Sequence, residues 1–211
     1  MRKIFWLIYS LLIIIILGFV IYLWRTPKKI SLNYNESARL TQPIIKQTNP
    51  RLGILTAPVT VVEFANFNCP TCANVSAILK KIQSNYPNLV AIIWKDLPHP
   101  NQSFSIITHL AARCAQAQNY FWEFHDELFK DMTKRGIDSY LLIANDLGLN
   151  TRQFKDCLNT EQLRPLILSD VSEALALNLE ATPSIFINGQ LYNFALTEKA
   201  LLNNILTYAA P

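Results

Sequence analysis

Apolar residues fall along this chain in three different patterns. From Ile4 to Trp24 they are continuous: IFWLIYSLLIIIILGFVIYLW, 21 residues without a charge. As a helix rising about 1.5 Å per residue, this run spans a hydrocarbon core of roughly 30 Å. Trp6, Tyr9, Tyr22 and Trp24 stand towards its ends, where amphipathic rings favour the membrane interface. A cleaved secretory signal has a shorter apolar region, about 7–15 residues, followed by small residues. Here Trp24-Arg25-Thr26-Pro27 follows, so the pattern predicts an uncleaved anchor at 4–24 behind a short basic N-terminus, 1–3. Two basic side chains and the amino terminus precede the run and three basic side chains follow it, which leaves its orientation open. Residues 25–51 are polar and interrupted by Pro27, Pro43 and Pro50, and read as a tether.

The second pattern is the short apolar run. Val59–Ala65 is β-branched and apolar apart from Thr60 and Glu63, and reads as a buried strand. Leu89–Trp94 reads as another, and Leu52–Leu55 as a short edge strand. The third pattern is helical. Val75, Ile78, Leu79, Ile82 and Tyr86 recur at three- and four-residue spacing between the first two strands, which makes a β-α-β unit with parallel strands. Helical patterning continues through 103–118, 121–130, 139–147, 151–158 and 161–178. Ser184–Asn188 then reads as a strand, Asn188-Gly189 as a hairpin turn and Leu191–Phe194 as its partner. Thr197 is placed to cap a last helix carrying Ala200, Leu201, Ile205 and Leu206. The order predicts an α/β fold with a sheet of mixed direction and a long helical insertion.

Composition changes the picture in one respect. The chain has 211 residues, is 51% hydrophobic and carries a formal charge of +4. A basic chain invites a nucleic-acid reading, but Arg2, Lys3, Arg25, Lys28 and Lys29 all precede residue 30 and every acid follows it. Beyond residue 29 there are 14 bases against 15 acids, so the folded part has no basic surface of the kind nucleic acid requires. Basic residues 25–29 are placed to touch lipid headgroups.

The chemistry lies in four cysteines: Cys69, Cys72, Cys114 and Cys157. Cys69-Pro70-Thr71-Cys72 falls where a strand hands over to a helix. Unpaired N–H groups at that helix N-terminus favour a thiolate on Cys69, and Pro70 suits the first turn because it needs no N–H partner. Cys72 lies one turn further in. The pair can close a disulfide without unwinding the helix, so the implied chemistry is exchange: a mixed disulfide on Cys69, resolved by Cys72. A CxxC is also half of a zinc site, but zinc needs two more ligands at suitable spacing. Cys114 and Cys157 are solitary, and His99, His109 and His125 form no matching pair.

The run Val61-Val-Glu-Phe-Ala-Asn-Phe-Asn-Cys-Pro-Thr-Cys72, with Ala181-Thr-Pro-Ser-Ile-Phe-Ile-Asn-Gly189 downstream, resembles the DsbA-like branch of the thioredoxin superfamily. Residues 111–126, AARCAQAQNYFWEFHD, resemble a segment of that family's helical insertion. The resemblance implies a thioredoxin fold made of 52–98 and 179–211, with the insertion at 99–178. It implies a thiol-disulfide oxidoreductase that works outside the cytoplasm, on the periplasmic side of a bacterial inner membrane. Thr182 and Pro183 match the family's cis-proline loop, which lies against the cysteines and offers the Thr182 backbone to a substrate strand. Glu63 matches a carboxylate beneath the pair that relays the resolving cysteine's proton; an outward-facing carboxylate is the plainer reading. Lys95, as its charge partner, is weighed against a solvated lysine.

Pro70 and Thr71 tune the redox pair. The family's oxidases often carry histidine where Thr71 stands. An oxidase is favoured, with a reductase or isomerase of the same fold as the alternative. A metal-binding assembly factor is a weaker one, because the only methionines are Met1 and Met132. An even cysteine count in an exported domain favours a Cys114–Cys157 disulfide over two buried thiols. No cofactor beyond the Cys69–Cys72 disulfide and no metal are expected. The implied partners are exported proteins with cysteines and a membrane redox partner that resets the pair. The aromatic cluster at 120–124 reads as helical core, and His125 with Asp126 as structural or surface.

Overall fold

Val59–Ala65 (β2) is the central strand because it can be buried on both faces: all its residues but Thr60 are buried, Glu63 included. In the computed structural model it pairs in parallel with Val90–Asp96 (β3) and antiparallel with Ser184–Ile187 (β4). Arg51–Leu52 (β1) adds an antiparallel edge to β3, and Gln190–Leu191 (β5) the opposite edge, giving the order β1-β3-β2-β4-β5. The structure describes residues 6, 12, 15–18, 40–102 and 104–209. The chain divides into two units, Met1–Ser37 and Ala38–Pro211. Most of the span read at 4–24 and residues 25–39 of the tether lie outside the described residues. Among those described, no helix is long and apolar enough to cross a membrane.

The helices of the second unit, among the described residues, are Pro70–Asn85 (α1), Ser105–Gln116 (α2), Phe121–Lys130 (α3), Ile137–Asp146 (α4), Thr151–Thr160 (α5), Arg164–Ala176 (α6) and Glu198–Ala209 (α7). Side chains alternate across a strand, and here that divides the core. Val59, Val61, Val90 and Ile92 pack with Val75, Leu79 and Ile82 of α1 and Leu201 and Ile205 of α7. Val62, Phe64 and Ile93 face the other way, onto Ala174 of α6. At the carboxyl ends of β2 and β3, Phe67 and Trp94 stack 4.7 Å apart and join the insertion's core of Leu110, Phe124 and Phe154. Phe121 and Phe124 are indeed core, while Tyr120 stays partly exposed.

Two edge elements are shorter than their hydrophobic patterns. Gly53 ends β1: its φ is +98°, and a Cβ there would lie 2.7 Å from the Val90 carbonyl. Ile54 and Leu55 are consequently exposed. Asn188 and Gly189 form the hairpin with φ of 47° and 82°, the sign a two-residue turn requires. β5 stops at Leu191, and Phe194 is exposed. Thr197 caps the last helix as expected, its hydroxyl accepting the Ala200 N–H at 3.3 Å.

The end of the stretch read as a tether is laid on the domain. The Leu40 N–H donates to the Ala176 carbonyl and the Trp94 N–H to the Pro50 carbonyl, both at 3.0 Å. The Ile44 N–H donates to Glu173 Oε1 at 2.9 Å.

Candidate active site

Cys69 stands at the N-cap of α1, in extended conformation (φ −109°, ψ 112°), with Pro70 at the first helical position. Its sulfur occupies the place of a capping oxygen: the Cys72 N–H donates to Cys69 Sγ at 3.1 Å. Both sulfurs are free; Cys69 is half-buried and Cys72 fully buried. Pro70 and Thr71, between them, are exposed. Burial pushes the Cys72 thiol well above the ordinary thiol range, and the neighbouring Cys69 adds to this.

The loop Asn66–Asn68 that leads into Cys69 is held by side chains. Asn66 Oδ1 accepts the Asn68 N–H at 3.1 Å and the Ser105 hydroxyl at 3.3 Å. Arg135, from the turn between α3 and α4, donates to Asn68 Oδ1 and to the Phe67 carbonyl at 2.9 Å each. No periodicity in the sequence marks Arg135; the contact arises only when the insertion folds back over the strand ends.

The Thr182–Pro183 bond is cis, and Cys69 Sγ lies 3.6 Å from the Thr182 carbonyl, within reach of a thiol hydrogen bond. The downstream motif therefore meets the cysteine motif across 113 residues.

Glu63 is 1% exposed and faces α1. The Ser76 hydroxyl lies 2.9 Å from both carboxylate oxygens. Ser76 is four residues beyond Cys72, so both lie on one face of the helix, one turn apart. Burial raises the Glu63 carboxyl from 4.5 to about 8, and the Ser76 bond offsets only part of this. Lys95 takes no part: it neither reaches solvent nor pairs with Glu63. Glu63 is in register with Trp94, so alternation turns Lys95 to the opposite face. There its ammonium donates to Glu173 Oε2 at 2.9 Å, Asp170 Oδ1 at 3.2 Å and the Ile44 carbonyl at 2.8 Å.

At the carboxyl end of β3 these carboxylates join a larger charge network with no counterpart in the sequence reading. Arg113 bridges Asp96 (2.5 Å) and Asp170 (2.7 Å), and also donates to the Thr48 carbonyl at 2.8 Å. His109 Nδ1 lies 2.7 Å from Asp96 Oδ1, which also accepts the Trp94 indole N–H at 2.8 Å. Burial alone would raise the Asp96 carboxyl, but the Arg113 guanidinium and His109 hold it well below the carboxylate range. Asp170, across the same guanidinium, is raised by burial and by the Asp96 charge.

Cys114 of α2 and Cys157 of α5 form a disulfide inside the insertion. His125 is not on the surface: it is 1% exposed, enclosed by the rings of Phe67, Trp94, Trp122 and Phe129. Among the described residues no group of three or more His, Cys, Asp and Glu is arranged to hold a metal.

A mixed sheet, a cysteine pair at the first turn of α1 and a cis-proline loop against the outer sulfur together define a thioredoxin-type fold and site. The family model described as thioredoxin matches residues 46–206, and the chain belongs to that family. Probable disulfide bond formation protein D of Bacillus anthracis is 26% identical over 205 residues, covering 89% of this chain and 88% of that protein. BdbD of Bacillus subtilis, solved in its oxidised form, aligns with a TM-score of 0.70 at 25% identity, covering 80% of this chain and 96% of that one. The thiol-disulfide exchange protein alpha-DsbA2 of Wolbachia pipientis shares the fold, with a TM-score of 0.69 at 19% identity. Na(+)/H(+) antiporter NhaA 3 of Salinispora tropica is 31% identical over 149 residues. That match covers 69% of this chain and 22% of the antiporter, so the chain spans about a fifth of the length of the curated relatives it matches first.

Proposed function

We propose that this protein is a thiol-disulfide oxidoreductase that exchanges disulfides with cysteines of exported proteins, acting as an oxidase. The observation that carries the reading is the environment of Cys69: an accessible sulfur that accepts a helix N-terminal N–H, with a buried second sulfur one turn behind. The names of the Bacillus anthracis and Bacillus subtilis relatives agree with it.

In the oxidising direction a substrate thiolate attacks Cys69 Sγ of the Cys69–Cys72 disulfide. The S–S bond breaks, its electron pair goes to Cys72, and the substrate is held in a mixed disulfide. A second substrate thiolate then displaces Cys69 and leaves oxidised. The leaving Cys72 needs a proton. A Glu63 carboxyl raised to about 8 is mostly protonated at neutral pH, and the buried Cys72 thiolate is the stronger base, so the proton runs downhill to Cys72. Thr182 and Pro183 guide the substrate segment to Cys69, and Pro70 and Thr71 set how far the dithiol form is stabilised. The only redox group required is the cysteine pair itself. The apolar run 4–24 anchors the chain in the bacterial inner membrane with the catalytic domain on the periplasmic side, where a membrane redox partner re-forms the disulfide.

The test is trapping with Cys72→Ala in the native host. Mixed disulfides through Cys69 to exported proteins are expected, together with a wild-type pair resting mainly as disulfide. A resting dithiol would contradict the oxidase direction. Stoichiometric copper or zinc lost in Cys69→Ser would overturn the enzyme reading altogether.

A further inference from the structure

Cys69 ends a β-turn. Its N–H donates to the Asn66 carbonyl at 3.1 Å, so residues 66–69 close on themselves just before α1 begins. The two central residues of that turn, Phe67 and Asn68, are both held by Arg135: Nη2 donates to the Phe67 carbonyl and Nε to Asn68 Oδ1, at 2.9 Å each. The other edge of the guanidinium faces the end of α3, where Nη1 donates to the Leu128 carbonyl at 3.2 Å and the Asp131 carbonyl at 3.3 Å. Carbonyls at a helix C-terminus carry partial negative charge and favour a cation there. Arg135 is half-buried. Burial lowers its pKa while Tyr140 and Asp131 oppose the shift, and it stays charged. The planar guanidinium thus joins the end of α3 to the turn that delivers the outer cysteine, a geometry that a single ammonium does not reproduce.

We propose that Arg135 is a positioning residue of the exchange reaction, holding the turn 66–69 so that Cys69 Sγ meets the Cys72 N–H and the redox pair is the stronger oxidant for it. The inference rests on the exchange reading above and adds to it a group that lies outside the cysteine and proline motifs. The turn sets where the Cys69 backbone sits, and therefore where its sulfur lies: 3.1 Å from the Cys72 nitrogen and 3.6 Å from the Thr182 carbonyl. An N–H at a helix N-terminus stabilises a thiolate more than it stabilises one sulfur of an uncharged disulfide. Keeping the sulfur on that N–H therefore favours the reduced protein over the oxidised one, which raises the oxidising power of the disulfide. A contact that only fastened the insertion to the strand ends would stabilise both forms alike and leave the redox equilibrium unmoved. The start of the turn is held separately, the Asn66 side chain by Gln102 at 2.8 Å and Ser105 at 3.3 Å. Loss of Arg135 consequently loosens the middle of the turn, next to the reacting sulfur.

The experiment is equilibration of the full chain with glutathione at pH 7, in which the Cys69–Cys72 disulfide and two glutathione thiols give the dithiol and one glutathione disulfide. The state of the pair is read by alkylation and peptide mass. Arg135→Gln, which removes both the charge and the fork, is expected to make the disulfide roughly tenfold less oxidising, about 30 mV in potential. Arg135→Lys, which keeps only the charge, is expected to recover part of this and differ from wild type by roughly threefold. Urea titrations of each variant in both redox forms give an independent reading, and the reduced form should lose more stability than the oxidised form. Equal losses in the two forms, with the glutathione equilibrium within about twofold of wild type, overturn the proposal. If Arg135→Gln does not fold, Arg135→Lys decides alone, and an equilibrium identical to wild type overturns it. A wild-type pair that does not exchange with glutathione at all overturns the reading on which the proposal rests, and the proposal with it.

Discussion

The central sheet buries carboxylates in two places, and the two surroundings treat them in opposite ways. On the α1 face Glu63 has a single hydroxyl partner and a carboxyl raised to about 8. At the carboxyl end of β3 Asp96 has a guanidinium, an imidazole and an indole N–H, and stays ionised well below the usual range. Both side chains are equally inaccessible, so burial does not distinguish them; partners do. A buried charge without a cation gives up its ionisation, and one with several keeps it. The unpaired acid can hold and release a proton at neutral pH and therefore suits chemistry. The paired acid cannot, and instead ties β3, α2 and α6 to the segment at 40–50 through Arg113 and Lys95.

The sharpest way to break this contrast is to remove the shared cation. Arg113→Met leaves Asp96 and Asp170 facing each other in the interior. It is expected to cost about 3–5 kcal/mol in a urea titration, while peptide exchange per folded molecule stays within about twofold of wild type. A loss of exchange with stability intact would place the network in the chemistry.

Glu63→Gln probes the other carboxylate, with the opposite sign. The folded pKa lies above the ordinary 4.5, so the native dithiol protein binds the proton more tightly than the unfolded chain. Wild type therefore loses stability as pH rises from 4.5 through about 8. At about 1.4 kcal/mol per unit, Glu63→Gln is expected to be more stable than wild type by about 3–5 kcal/mol at pH 9 and indistinguishable at pH 4. Its exchange rate should fall about 10- to 100-fold at pH 7. Denaturation midpoints measured at both pH values check the first expectation, and single-turnover quenching the second.

Asp96 gives the complementary pH response. Its depressed pKa makes its contribution complete above the ordinary 3.8 and lost as pH falls below it. Asp96→Asn should therefore show less acid destabilisation between pH 4 and 2 than wild type, by about 1–2 kcal/mol. The smallest effect belongs to Lys46, whose ammonium lies 3.8 Å from Glu173 at the partly exposed rim of the network. Lys46→Ala is expected to cost only about 0–1 kcal/mol in the same titration.

Much of the α1 face was legible in the sequence. Val59, Val61, Glu63 and Ala65 share one side of a strand by alternation alone, and Cys69 and Cys72 fall one helical turn apart. The thioredoxin-type motifs then placed Thr182 beside them across 113 residues. The network at the end of β3 was not legible, because it is assembled from positions far apart in the chain. Lys95 meets Asp170 and Glu173 over 75 and 78 residues, and Arg113 meets Thr48 over 65. The one local sign was that Asp170 and Glu173 sit three residues apart, on one side of a helix that packs on the sheet. Ser76 was within reach of the same periodicity that placed Cys72, as its neighbour one turn on. His125 was read as structural or surface, and the structure makes it structural: its ring packs among aromatic rings, two of them, Phe67 and Trp94, contributed by the strand ends, which no local pattern shows.

The most direct test is a carbon-13 NMR titration of the side-chain carboxyls in the reduced protein, following Glu63 and Asp96 in one sample. The expected result is a Glu63 midpoint near 8, with Asp96 still ionised below pH 3.8. A Glu63 midpoint at or below 4.5, alongside Asp96, would contradict the division into a chemical carboxylate and a structural one.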